Sequence, residues 1–313
     1  MFGRGLPAQS PAAVQYALTP LGLLGGSQSH AYDIAEYGQW IVGRAQTASG
    51  AYHAFAQGPS GVRDLGTLGG ADSTAFAFGG LLAVGQAQTA SGDYHAFSVN
   101  LFNNEKTDLG TLGGNWSAAY DVRYGIVVGA SRTAGNTRLQ AFQYVNGALT
   151  AVAVNLGGDS VARGVNNAGD IVGHACTAGN TSCRPFLFTS GVMTLLGPSN
   201  RTGVATGIND RLEIVGSIAA AGSTAMHAFF YGGGSLIDLG TLGGASSEGR
   251  GINERGEVVG SAQDAAGQAR AFLWRNGQMV DLNTLLPPGS GWVLQSALSM
   301  SDGGQIVGYG VLI

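Results

Sequence analysis

Charge is scarce in this chain. Lys, Arg, Asp and Glu supply 11% of its 313 residues, against roughly 25% in an ordinary soluble domain. The net charge is −4 and no basic cluster stands out, so the electrostatic footprint that nucleic acid demands is missing. Long apolar runs are missing too. Glycine interrupts each one, which leaves no candidate for a membrane-crossing helix. Met1–Ala13 has neither the basic start nor the apolar stretch of a secretion signal. No segment sustains helical periodicity, so α-helical architectures drop out. Cysteine is nearly absent. Cys176 and Cys183 flank the turn-rich stretch Thr177–Ser182 between two strand-like runs. That spacing suits a disulfide across a hairpin and hence an oxidising compartment. Two free thiols are the other reading. Zinc would need a second Cys/His pair nearby in sequence, and none is there.

What is present in excess is glycine, at 54 positions, beside 44% hydrophobic residues. Low charge and high hydrophobicity argue against disorder, and the lack of a Gly-X-Y period excludes collagen. Many short strands joined by tight turns remain.

The sequence repeats itself. Asp-Leu-Gly-Thr-Leu-Gly-Gly reads intact at Asp64–Gly70, Asp108–Gly114 and Asp238–Gly244. Worn copies fall at Pro20–Gly26, Val154–Gly158, Leu195–Gly197 and Asp281–Leu285. A second phrase, two apolar residues and a glycine, ends at Gly43, Gly85, Gly129, Gly173, Gly216, Gly260 and Gly308, at intervals of 42, 44, 44, 43, 44 and 48 residues. A third phrase, His-Ala-Phe or a variant, ends at Phe55, Phe97, Phe142, Phe186, Phe229 and Phe272. Each unit parses into four short strands, in the sixth Leu236–Leu239, Gly249–Asn253, Glu257–Ala262 and Arg270–Trp274, bounded by turn residues. Asn146-Gly147 and Asn276-Gly277 are hairpin signals. Four strands per roughly 44 residues is the spacing of a propeller blade, and a ring of such blades leaves few exposed sheet edges. The expected fold is therefore all-β, one seven-bladed β-propeller domain over residues 1–313. The expected repeats cover about 16–63, 64–107, 108–150, 151–194, 195–237, 238–280 and 281–313.

The His-Ala-Phe triplets at His53–Phe55, His95–Phe97 and His227–Phe229, taken with the two glycine phrases, resemble the HAF family of bacterial extracellular repeats. The likeness runs from about Tyr16 to Gly308. It implies secretion or surface exposure and no enzymatic activity. The chain departs from it where Gln140, Arg184 and Arg270 replace the histidine. A seventh His-Ala-Phe strand is also missing, so the N-terminal segment, with Tyr16–Leu21 as a strand, is expected to close the last blade.

Antiparallel order puts the Gly-Thr-Leu-Gly-Gly loops and the loops before His-Ala-Phe on one face. Tyr52, His53, Tyr94, His95, Trp116, His227 and Arg270 are the candidate ligand-binding residues there, although a residue repeated once per blade is first of all a structural brace. Gly158-Asp159-Ser160-Val161-Ala162 lacks the last glycine of a nucleophile elbow. No linear catalytic motif is intact, which leaves any catalytic residues unassigned, and no cofactor or metal site is expected. The expected function is a non-catalytic extracellular or cell-surface binding or assembly module, recognising a carbohydrate or small polar ligand on that face. The alternatives are a propeller enzyme, lyase or hydrolase, with its site at the channel mouth, and a structural surface-layer or filament component.

Overall fold

The computed structural model describes residues 15–313. Its strands form successive antiparallel meanders. The first is Gly25–Ile34, Ile41–Thr47, Tyr52–Gly58 and Gly61–Gly66, paired in that order. Five further four-stranded meanders begin at Gly69, Gly113, Gly157, Gly203 and Gly243. A single parallel bridge, Tyr94 to Trp116, joins the second and third. Among the described residues the last sheet has two strands, Trp292–Met300 and Ile306–Leu312.

Two of the three phrases of the repeat, the Val-Gly and Ala-Phe ones, are two sides of one contact. Gly43 lies opposite Phe55 on the neighbouring strand. The same pairing joins Gly85 to Phe97, Gly129 to Phe142, Gly173 to Phe186, Gly216 to Phe229 and Gly260 to Phe272. All six rings are fully buried. The glycine is obligatory because the space is taken. A Cβ on Gly43 would lie 1.9 Å from the His30 carbonyl oxygen and 2.9 Å from the Phe55 ring. An aromatic ring thus covers a strand glycine that has no side chain of its own.

Neighbouring sheets are stitched by apolar side chains and by buried serines. Ser73 Oγ accepts the Ala54 N–H and donates to the Gly66 carbonyl, tying one sheet to the end of the previous one. Ser117 and Ser247 repeat both bonds. The first and last sheets also touch. Ala31, Ile34 and Val307 form one apolar cluster with Leu21 and Ile41, and Ser299 Oγ bonds to Asp33 Oδ1 at 2.6 Å across 266 residues.

Three sequence expectations change. The Asp-Leu-Gly run is the last strand of its sheet, paired with the preceding His-Ala-Phe strand: Phe55 lies opposite Asp64. Sheets therefore run 25–66 and 69–110 rather than 16–63 and 64–107, because a cyclic repeat gives no phase and only hydrogen bonding sets one. Gln15–Leu23 carries no strand, so the expected Tyr16–Leu21 strand is absent. It is attached by the Tyr16 N–H to the Leu285 carbonyl and by the Gly22 N–H to Gln57 Oε1, both at 2.9 Å, with Tyr16 packed on the last sheet and Leu21 at the seam. Met1–Ala13 lies outside the described residues. The cysteine reading resolves to the bridge: Cys176 and Cys183 face each other across a strand pair and are disulfide-bonded.

Phe142→Ala removes a fully buried ring from one Gly–Phe pair, so it should cost ~3–5 kcal/mol. A large fall in the midpoint of thermal unfolding by circular dichroism is the expected result, and a near-native midpoint would refute the role assigned to the pair.

Candidate functional site

Five of the seven candidate residues on the Gly-Thr-Leu-Gly-Gly face are engaged within their own sheets. His53 Nδ1 sits 2.8 Å from Asp64 Oδ2, His95 Nδ1 is 2.9 Å from Asp108 Oδ2, and His227 Nδ1 is 2.9 Å from Asp238 Oδ1. Each aspartate also accepts the N–H of the glycine two residues on, Gly66, Gly110 or Gly240. The histidine thus locks the third strand to the outer one. Where arginine replaces it, the bonds change but stay local. Arg184 donates to the Gly197 carbonyl, and Arg270 pairs with Asp264 at 2.8 Å. Tyr52 donates its hydroxyl to Gln28 and lies under Arg44. Of the seven candidates, Tyr94 and Trp116 share one groove, of about 570 Å³, with Arg138 and Asp159. His227 and Arg270 stand on sheets remote from it. Ser160 is no nucleophile, since its buried Oγ accepts the Ala141 N–H.

A different set of side chains converges on the axis. Each inner strand carries one residue too many for its partner. The register jumps from Ala31 opposite Gly43 to Asp33 opposite Val42, and equivalent jumps occur on the other six inner strands. Such a bulge breaks the alternation of a strand and re-aims a side chain. The extra residues are Tyr32, Phe76 and Tyr120 on the first three sheets, then Arg163, Thr206, Arg250 and Leu298. All of them line a central cavity of about 160 Å³. The three aromatic rings form an arc, with Tyr32 edge-on to Phe76 at 5.6 Å and Phe76 at 5.5 Å from Tyr120. Arg163 continues the arc by lying over the Tyr120 ring at 4.5 Å. Burial first, and the Arg163 charge second, push the His174 pKa down to about 4, and its Nδ1 has no hydrogen-bond partner among the described residues.

Beside this collar are buried charges. Asp33 Oδ2 accepts the Phe78 N–H of the next sheet, and Asp121 Oδ2 accepts the Val165 N–H of the next. Arg123 lies 3.4 Å from Asp121 and 3.6 Å from Glu36. Burial opposes the Arg123 charge, yet Asp121, Asp33 and Glu36 together raise its pKa further. Burial pushes the Asp121 carboxyl up to about 6, against the pull of Arg123, and raises Asp33 as well.

The turns on the Asn-x-x-Gly side form a linked rim. Asp210 accepts the Asn167 N–H, Glu254 accepts the Asp210 N–H, and Asp302 accepts the Glu254 N–H, at 2.9, 3.0 and 2.9 Å. The cavity lining holds six carboxylates (Asp33, Glu36, Asp121, Asp210, Glu254 and Asp302) and three arginines (Arg123, Arg163 and Arg250), a formal balance of −3. Among the described residues no group of three or more His, Cys, Asp or Glu is placed to hold a metal ion, and no helix is long and apolar enough to cross a membrane. The sequence did carry a signal for the collar: a large or polar residue between two small ones, as in Ala75-Phe76-Ala77 and Gly249-Arg250-Gly251, with aspartate at the third place in Ala119-Tyr120-Asp121.

No family model matches the chain, and no curated protein matches it. Solved structures do. A TolB protein of Agrobacterium tumefaciens superposes with a TM-score of 0.53 at 11% identity, over 91% of this chain and 90% of that one. The β-propeller domain of the Trilobed protease of Pyrococcus furiosus gives 0.54 at 10%, over 82% and 80%. Acylaminoacyl peptidase of Pyrococcus horikoshii gives 0.55 at 9%, over 82% of this chain but 44% of that one. The chain has a β-propeller fold. The expectation of a non-catalytic module reading a carbohydrate on the Gly-Thr-Leu-Gly-Gly face is thereby corrected. The propellers it resembles include those of proteolytic enzymes, and the histidines meant to make that site are engaged with their own aspartates.

Asp121 gives the channel a pH signature. Its folded pKa of about 6 lies above the ordinary 3.8, so between these values the native state binds more protons than the unfolded one. Stability from this group is complete below about pH 4 and is lost as the pH rises through 6, by at most about 3 kcal/mol. In Asp121→Asn this loss should vanish. Relative to wild type, the variant should therefore gain in unfolding temperature between pH 4 and 7. Parallel pH curves for the two proteins would contradict the burial of an ionisable Asp121.

Proposed function

We propose that this chain is a seven-bladed propeller of a peptidase-type hydrolase and that the mouth of its channel receives the amino end of a peptide. The carrying observation is the bulge-built collar with the carboxylate rim around it. At about 160 Å³ the cavity is well below the 300–1,000 Å³ of a drug-sized pocket. It has room for a chain end or one side chain. A surplus of carboxylates in a confined cleft attracts a cation, and an ammonium 4 Å from one carboxylate gains ~1 kcal/mol in water, rising to ~4 kcal/mol at an effective dielectric constant of 20. The aromatic arc of Tyr32, Phe76 and Tyr120 offers a face for an apolar or cationic first side chain.

The blade count rests on six four-stranded sheets plus the two-stranded one. Its closure rests on the seam at Ser299 and Asp33, with residues 15–21 packed nearby. The chain spans 44% of the length of acylaminoacyl peptidase, and in our reading it is the substrate-selecting part of such an enzyme, with the hydrolytic residues supplied from elsewhere. We take its repeats to be of the HAF kind and its compartment to be oxidising and outside the cytoplasm. The Cys176–Cys183 bridge supports that placement.

The reading is tested with fluorescent tetrapeptides titrated against the protein. A free amino terminus should bind, and acetylating it should weaken binding at least tenfold. Glu254→Gln and Tyr120→Ala should each weaken it by a similar factor while circular dichroism shows a folded protein. Equal binding of free and acetylated peptides, or none at millimolar concentration, would sink the proposal.

A further inference from the structure

The last sheet breaks the rule that the other six obey. In those, the strand that carries the Val-Gly phrase has the inner strand on one side and a phenylalanine-bearing strand on the other. Ile306–Leu312 pairs with Trp292–Met300 alone among the described residues. Gly308 lies opposite Ala297 and is exposed, and among the described residues no phenylalanine-bearing strand lies on its other side. In place of a ring there is a hollow of about 460 Å³. Ala297, Leu294 and Leu282 line it from one side and Ala31, Ile34 and Ile41 from the other. Native interiors do not leave apolar voids of that size unfilled.

The strand itself is built for company. Beyond the glycine, the equivalent strands read Arg-Ala-Gln-Thr after Gly43 and Gln-Ala-Gln-Thr after Gly85, whereas Gly308 is followed by Tyr-Gly-Val-Leu. Tyr309, Val311 and Leu312 are 51%, 44% and 68% exposed. An exposed apolar strand with unpaired backbone groups is a template for a further strand. The segment Gln15–Leu21 lines the hollow without forming a strand, so among the described residues the hydrogen-bonding edge has no partner.

We propose that the outer edge of Ile306–Leu312 takes one extended strand from a partner protein, with an alanine-phenylalanine step that seats the ring over Gly308. The six occupied sheets of this chain specify the occupant. In each, the visiting strand runs antiparallel, carries a residue that is small or nearly so before its phenylalanine, and buries the ring completely. Adding such a strand continues the same interface by one more repeat. Main-chain bonds would give affinity and the ring would give specificity. This inference is independent of the peptide-end site at the channel mouth.

The probe is a synthetic peptide with the sequence of residues 268–277, Gln-Ala-Arg-Ala-Phe-Leu-Trp-Arg-Asn-Gly, added to the full chain. Hydrogen exchange at residues 306–312 should slow at least tenfold on binding. The peptide with alanine in place of its phenylalanine should bind at least tenfold more weakly. Three results would each overturn the proposal. One is unchanged exchange at 306–312 with millimolar peptide, or equal protection by both peptides. Another is exchange in the free chain already as slow as at Ile41–Thr47, which would assign the edge to the chain's own segment. The third is protection that follows protein concentration without peptide, which would assign it to a second copy.

Discussion

A glycine on one strand facing a phenylalanine on the next is the contact that the other layers of this structure depend on. It works in both directions. The glycine lets a carbonyl of the inner strand approach to where a Cβ would stand, and the ring then fills the space that a missing side chain would leave open. Neither residue is explained without the other. Because the pair recurs at six matched registers, the inter-sheet serines Ser73, Ser117 and Ser247 find the same N–H and carbonyl in three of the units. With few charges to spend, the chain takes its specificity from shape and backbone bonding.

That regular frame makes variation at the axis affordable. The bulge on each inner strand is a backbone event, held by the two strands beyond it, so the sheet does not fix the type of side chain at the bulge. Tyrosine, phenylalanine, arginine, threonine and leucine all occupy the position. One step further, the freedom narrows. Asp33 and Asp121 accept N–H groups from the following sheet, and this bond is one reason to keep a carboxylate where burial disfavours its charge. Arg123 sits among three carboxylates and offsets part of that cost. The histidines lie at the other extreme. Each is bound to an aspartate of its own sheet, and repetition in every His-Ala-Phe copy reflects that structural service.

The repeat, the strands, the hairpin turns and the cysteine bridge were legible in the sequence because each has a local cause. Val-Gly and Ala-Phe runs alternate as strands do, and Asn146 and Asn276 adopt the positive φ that their hairpins require. The phase of the repeat was not legible. A period of about 44 residues has no marked beginning, and Asp64 reads equally well as opening one sheet or finishing another until its bond to His53 is seen. The channel was harder still. Tyr32 and Arg163 look like ordinary strand residues, since a bulge shifts the alternation without a turn residue to announce it. Only aligning the seven inner strands by register exposes Ala-Tyr-Asp, Ala-Phe-Ala and Ala-Arg-Gly as one column with a variable centre.

The rim shows how the same atoms serve fold and electrostatics together. Asp210, Glu254 and Asp302 each cap a backbone N–H of the preceding turn, so their carboxylates are fixed by bonds that run from turn to turn. Fixed carboxylates cannot retreat into solvent, and so their mutual repulsion persists. Glu254 registers it: burial raises its pKa, and the nearby Asp210 and Asp302 raise it further, against the N–H bond from Asp210. A cation entering the mouth relieves that repulsion without having to reorganise the groups that produce it. Preorganised charge of this kind acts through a field already in place, and here the rigidity comes from the stitching of one sheet to the next. The asymmetry of the collar follows the same logic. Aromatic faces on three adjacent sheets and guanidinium groups on two later ones make the two sides of the cavity different, which identical units could not have provided.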